Sequence, residues 1–204
     1  MKIVLATSNP GKVRELSRLL EGTGIQVMPQ SDFGVADAEE TGLSFVENAI
    51  LKARNAAAHT GLPAMADDSG IEVDALNGAP GIYSARYAGP ECDDAANNRK
   101  LLEALRDVPE AERTARFHCV IAYLRHGEDP APIITEGVLE GRVALSPRGE
   151  GGFGYDVIFE LPGRGLTTAE ISPEEKNRIS HRGQALSRML ARLAPRKGEV
   201  GIGK

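Results

Sequence analysis

The chain contains no tryptophan, and aromatic residues make up only 4% of its 204 positions. Wherever phenylalanine and tyrosine gather, they therefore stand out. It has two cysteines, Cys92 and Cys119, at no spacing used by zinc or redox motifs. That excludes a disulfide-stapled scaffold and leaves reduced thiols in a cytosolic protein as the simplest reading. Long apolar runs are missing too. Ile3–Ala6 near the amino terminus is too short for a signal peptide, and no later run approaches the length of a membrane span. The cytoplasm is the expected compartment. Nor is there an excess of positive charge. With a formal net charge of -5, the protein is not built to coat nucleic acid. A small phosphorylated ligand needs only a local group of cations and stays open.

The remaining composition, 41% hydrophobic and 26% charged, is that of an ordinary globular domain. Its length supports one domain over residues 1–195, with 196–204 expected as a frayed tail. Residues 2–6 read as a buried strand. A helix follows, with Ser8 or Asn9 as cap, Pro10 in its first turn and an apolar stripe at Val13, Leu16, Leu19 and Leu20. Residues 25–28 read as a second strand. Ser44 and Glu47 have capping-box spacing for a second helix running to about Thr60. Leu62–Ala66 is a third strand. Asp93 or Asp94 caps a helix through Leu105, and Arg116–Leu124 reads as a largely buried strand. Ile133–Thr135, Val138–Val143 and Val157–Phe159 are three further strands; Ser172-Pro173 opens a short helix, and Leu186–Leu193 marks a last amphipathic one. This order predicts a mixed α/β fold around one sheet.

Two segments carry the chemistry. Thr7-Ser8-Asn9-Pro10-Gly11-Lys12 joins a strand to a helix start, where backbone N–H groups, the helix dipole and Lys12 favour an anion. It is not a Walker A loop, because Ala6 and Val13 stand where that motif needs glycine and Ser or Thr. The same residues also read as an ordinary helix cap. Asp67-Asp68-Ser69-Gly70 ends an apolar strand. Magnesium is commonly held by one or two carboxylates together with substrate phosphates. On a strand the two aspartates point to opposite faces, so one can serve a metal while the other looks elsewhere. Glu39 and Glu40 can bring a second carboxylate. The alternative is a polar turn closing the strand.

Gly149–Gly154 formally matches a dinucleotide fingerprint, yet it lacks a preceding strand and a following helix and is rejected. It reads instead as a flexible loop presenting Phe153 and Tyr155, on which a base can stack, or as a hairpin connection with core-facing rings. Lys176, His181 and Arg182 near the last helix junction can donate to phosphates or to a base edge, or serve as surface cations. His118 and His126 read as strand and loop residues, and His59 as a helix C-terminal cation.

Six stretches in order, Thr7–Lys12, Glu39–Gly42, Ala66–Gly70, Gly81–Tyr87, Gly152–Asp156 and Glu175-Lys176 with Ser180–Arg182, resemble the inosine/xanthosine triphosphate pyrophosphatase family. One departure is Val157, where that family usually carries proline. The resemblance implies an elongated mixed sheet flanked by helices, two lobes with the site in the cleft between them, and a homodimer. It implies hydrolysis of ITP, dITP and XTP to the monophosphate and pyrophosphate with Mg²⁺. By position, Thr7, Ser8, Asn9, Pro10, Gly11, Lys12 and Lys176 would hold phosphates. Glu40 and Asp68 would serve the metal, with Asp68 also the base. Ser69 would touch substrate, while Phe153, Gly154, Tyr155, Asp156, His181 and Arg182 would enclose the base. The alternatives are a septum-inhibition-type pyrophosphatase acting on pyrimidine or modified nucleotides, and a nucleotide-binding regulator without turnover.

Overall fold

A computed structural model describes residues 1–194, so the expected tail lies outside the described residues. The first strand, β1 (Lys2–Leu5), is buried on both faces, as its apolar run requires. Helix α1 (Pro10–Leu20) returns to β2 (Gln26–Pro29), and α2 (Phe45–Thr60) returns to β3 (Ala64–Val73). β2 and β3 lie parallel to β1 on its two sides. Parallel crossovers are right-handed, so reversing the direction of travel at β1 places α1 and α2 on opposite faces of the sheet. The packing shows this. α1 covers Ile3, Leu5 and Met65, whereas α2 covers Val4, Ala6, Ala64 and Ala66. Such a switch point opens a crevice at the carboxyl end of the central strand.

Helix α3 (Asp94–Ala104) precedes two long antiparallel strands, β4 (Thr114–Leu124) and β5 (Ile133–Val143); a short β6 (Phe159–Glu160) completes the order β2-β1-β3-β4-β5-β6. Helices α4 (Pro173–Ile179) and α5 (His181–Leu193) follow, α5 packing beside α1. β3 pairs with β1 only through Ala64 and Met65 but with β4 along its whole length. Its distal half carries a third core of Ile71, Val73, Leu101, Leu105, Phe117, Tyr155 and Phe159. Two lobes result, joined by the long strands.

Three sequence expectations change. β3 does not end at the aspartates but runs through them, which removes the polar-turn reading of Asp67–Gly70. Both faces supply cations to these carboxylates, and a Cβ on Gly70 would lie 2.3 Å from the Gly81 carbonyl oxygen, so the strand stays extended against a close neighbour. Residues 133–143 form one strand, not two. Gly137, in the gap between the two expected strands, is where α5 lies on the strand, since a Cβ there would meet the His181 carbonyl oxygen at 2.1 Å. Residues 156–158 form a 3₁₀ turn, with a strand only from Phe159, because Asp156 turns inward to bond the Phe153 N–H.

Candidate active site

The crevice at the end of β1 is a cleft of roughly 740 Å³, bounded by Lys12 of α1, the outer edge of β3 from Asp68 to Ile71, Ile82–Ala85, Phe153–Asp156 and the start of α5. Of the segment 7–12, Asn9 and Lys12 line it; Thr7, Ser8 and Pro10 do not, and Gly11 lies behind Phe153, whose ring a Cβ would meet at 2.7 Å. Asn9 caps α1 by accepting from the Gly11 and Lys12 N–H groups, and its carbonyl accepts from Val13. Pro10 has no N–H. The first-turn donors are thus taken, contrary to the expectation of free backbone N–H groups, and attraction for an anion falls to Lys12 and the helix dipole. Ser8 donates to Asp37, away from the cleft.

Strand alternation divides the two aspartates. Asp68 faces α2, where Lys52 donates to its Oδ1 at 2.7 Å and to Glu40 Oε1 at 2.8 Å; Arg86 donates to the other Glu40 oxygen at 2.7 Å. Asp68 Oδ2 is buried without a partner. Burial pushes the Asp68 carboxyl above the ordinary carboxylate range, and Lys52 and Lys12 offset that only in part. Burial would raise Glu40 as well, but Lys52 and Arg86 hold it below its usual value. The structure also separates the neighbouring glutamates: Glu39 is exposed, whereas Glu40 turns inward from a loop that Asn48 holds through the Gly42 N–H at 2.9 Å.

Asp67 faces α1 and α5. Its Oδ2 meets Lys12 Nζ at 3.0 Å and Arg182 Nη2 at 3.2 Å, and accepts from Ser69 Oγ at 3.2 Å. Burial opposes its ionisation, yet Lys12, Arg182 and Lys52 pull its carboxyl far below the usual range. Arg182 also donates to Ser69 Oγ at 2.9 Å and to Glu15. Lys176 bridges Glu15 and Asp156, each at 2.6 Å. Three carboxylates and three cations thus balance one another in a buried network. His181, buried beside Arg182 and Lys176, is held well below its ordinary value by desolvation and by those cations, so its imidazole is neutral. Its ring stacks on Phe117 at 4.8 Å, and its Nδ1 has no partner.

The glycine-rich loop is pinned, not flexible. Asp156 accepts from the Phe153 N–H at 2.8 Å and from Thr168 Oγ1 at 2.8 Å. Tyr155 packs in the third core and donates to the Ser84 carbonyl at 2.7 Å, so it is no stacking platform. Phe153 is the half-buried ring left at the cleft, with Lys176 and Arg182 over it at 5.1 and 5.6 Å.

Sequence reading missed Glu15, Lys52, Ser84 and Arg86. Lys52 had a signal: it falls at helical spacing with the buried Asn48, Ala49, Ala53 and Ala56, a charge inside an apolar stripe. Glu15 likewise adjoins the stripe of α1, four residues before Leu19. Arg86 lies within the motif Gly81–Tyr87, but nothing in its spacing points to Glu40.

The profile of the Ham1 family matches residues 3–192 of this chain. The chain belongs to the Ham1 family. Among relatives of this Ham1-family chain, the dITP/XTP pyrophosphatase of Thioalkalivibrio sulfidiphilus is 73% identical, over 96% of this chain and 100% of its own length. That of Shigella flexneri is 60% identical over 94% and 98%. A HAM1 protein from Coxiella burnetii superposes with a TM-score of 0.87 at 53% identity, covering 95% of this chain and 98% of its own. A nucleoside-triphosphatase / dITP/XTP pyrophosphatase from Mycobacterium abscessus gives 0.73 at 47%, covering 93% and 99%.

Proposed function

We propose that this protein hydrolyses deaminated purine nucleoside triphosphates (ITP, dITP and XTP) to the monophosphate and pyrophosphate, clearing them from the nucleotide pool. The observation that carries this is the split cleft: a carboxylate pair with a buried free oxygen on one side, an aromatic ring with buried cations on the other. Full-length similarity to dITP/XTP pyrophosphatases supports the same reading.

The donor set fits a hard divalent cation. Asp68 Oδ2 is buried and unpartnered, and Glu40 shares its ammonium partner. Glu40 and Asp68 would hold Mg²⁺, which supplies charge neutralisation at the phosphate oxygens. Lys12 leaves Asp67 to meet the phosphates, and Lys52 adds charge beside the reacting centre. Asp68 orients a water and takes its proton; a carboxyl raised by burial is a better base than an ordinary one. Attack at the α-phosphorus lets pyrophosphate leave whole.

The far half reads the base. Phe153 offers a face for stacking. Arg182 has five N–H groups, of which two go to Asp67, one to Ser69 and one to Glu15, so one remains for a ligand. Lys176, expected among the phosphate ligands, lies over the Phe153 ring instead and has one donor beyond Glu15 and Asp156. A 6-oxo group accepts from these; a 6-amino group would face donors, and an unpaired buried polar group costs about 1–3 kcal/mol. The protein acts in the cytoplasm as a homodimer. Among the described residues, no helix is long and apolar enough to cross a membrane.

Turnover of ITP, XTP, dITP, ATP and dUTP with Mg²⁺, with product identified, tests the reading. Pyrophosphate from the first three and little reaction with the others is expected; orthophosphate alone, or equal rates with ATP, refutes it. Asp68→Asn should lower kcat by about 10²–10⁴-fold with little change in KM. Undiminished turnover would remove Asp68 from the role of base.

A further inference from the structure

Helix α3 takes no part in the chemistry above, yet its first two turns are tied to the cleft. Asp93 caps the helix, which frees the Asp94 side chain to turn outward. Asp94 Oδ2 accepts from the Gly154 N–H at 2.7 Å, and Asn98, one turn on, donates from Nδ2 to the Gly154 carbonyl at 2.8 Å. Both polar groups of one peptide residue are therefore held by side chains at i and i+4 of one helix face. Gly154 has φ +62, a left-handed backbone that glycine adopts without strain, so the loop has no local preference to keep this shape. The intervening Asn97 holds the opposite wall: it donates to the Ala85 carbonyl at 2.9 Å and accepts from the Ala88 N–H at 2.6 Å.

The geometry points to Asp94 and Asn98 as positioning residues for base recognition. By gripping Gly154, they fix the backbone next to Phe153 and set the ring at its place in the cleft wall. This inference rests on the reading of Phe153 as the stacking face. A charge-assisted bond from an N–H to a carboxylate is among the stronger ones a surface loop can make. Without the grip, Gly154 loses both of its side-chain anchors while Asp156 still holds the Phe153 N–H, so the ring's place loosens locally and stacking must fix it again on each binding event. The bonds of this grip go to Gly154 and to none of Lys12, Glu40 or Asp68, so the phosphate half should not notice its loss.

The test compares Asp94→Ala, Asp94→Asn and Asn98→Ala with the parent, using three readouts: exchange of the Gly154 amide proton, steady-state kinetics on ITP, and inhibition by inorganic tripolyphosphate, which has phosphates but no base. In Asp94→Ala we expect faster Gly154 exchange and a KM for ITP raised about tenfold, equivalent to about 1.4 kcal/mol. Both kcat and tripolyphosphate inhibition should stay near parental values. Asn98→Ala should move in the same direction. Asp94→Asn should largely restore the parent, because its amide oxygen still accepts from the Gly154 N–H. Faster exchange with unchanged KM overturns the inference, and so does a parallel weakening of ITP and tripolyphosphate. Phe153→Leu separates the two layers. An unchanged KM there removes the stacking reading and this inference with it, whereas a raised KM beside an unaffected Asp94→Ala removes the grip alone.

Discussion

Replacing Lys52 with methionine keeps the stem of the side chain and deletes the ammonium that Glu40 and Asp68 share. The side chains of Lys52 and Asp68 are only 13% and 6% exposed, so water replaces little of what is lost. Removing one partner of a buried ion pair costs about 3–5 kcal/mol, because the other charge is stranded. Glu40 is a quarter exposed and keeps Arg86, which places the expected loss at the lower end, about 3 kcal/mol. For a chain of this size that lowers Tm by roughly 6–12 °C. The pH dependence has a definite sign. In the parent, the depressed Glu40 carboxyl contributes stability above its unfolded pKa of about 4.3, lost as pH falls through the lower folded value. In the variant that contribution shrinks, and Asp68, already raised by burial, rises further. A raised carboxyl contributes stability below its unfolded value of about 3.9, lost as pH climbs through the folded one. Both effects make the deficit small near pH 4 and full above pH 7. Thermal melts of parent and variant from pH 4 to 8, with and without MgCl₂, measure it. Magnesium should stabilise the variant more than the parent, since a cation then stands in for the missing ammonium. Tm curves that run parallel across pH, or identical magnesium shifts, would refute the reasoning.

Gly70→Ala places a methyl 2.3 Å from the Gly81 carbonyl oxygen and 2.5 Å from Ser84 Oγ, so the urea midpoint should fall by the equivalent of about 3 kcal/mol with the slope preserved; an unmoved midpoint would show that this contact is loose. The two thiols should separate under Ellman's reagent. Cys92 is exposed and reacts at once, whereas Cys119 is buried with its thiol pushed up to about 12 and reacts only after unfolding; two fast thiols in the native protein would contradict the packing of β4.

Much of the frame was readable from residues alone because its rules are local. The apolar run of β1, the Asn9 and Ser44 caps and the stripe of α1 each depend on neighbours within a turn or two. What escaped depends on contacts distant in sequence. Residues 133–143 read as two strands, and only the seat of α5 against Gly137 gives the glycine between them its reason. Asp67–Gly70 has the composition of a turn and is a strand because Lys12, Lys52 and Arg182 arrive from three helices to neutralise it. Tyr155 looked like a partner of Phe153, but its ring is buried in the third core with its hydroxyl on the Ser84 carbonyl, a contact distant in sequence. Of the expected site residues, the structure brings Asn9, Lys12, Glu40, Asp68, Ser69, Phe153, Gly154, Tyr155, Asp156, Lys176, His181 and Arg182 to one cleft; Thr7, Ser8, Pro10 and Gly11 stand outside it.

The adjacent aspartates show why a strand, and not a loop, suits this chemistry. On β3 the pleat sends Asp67 and Asp68 to opposite faces, so two carboxyls one residue apart meet unlike surroundings. Asp67 receives Lys12 and Arg182 and is driven far below the carboxylate range, a fixed charge that holds the Arg182 guanidinium in place. Asp68 receives one ammonium for two carboxylates, keeps a buried oxygen free and is driven upward. Neighbouring acids whose environments push them apart are the arrangement from which separate roles follow. It also couples the two ends of a ligand. Lys12 and Arg182 share Asp67 Oδ2, so when a triphosphate draws Lys12 away, that carboxylate has Arg182 as its remaining strong partner and grips it harder. On the proposed reading, binding at the phosphate half would thereby stiffen the group that reads the base.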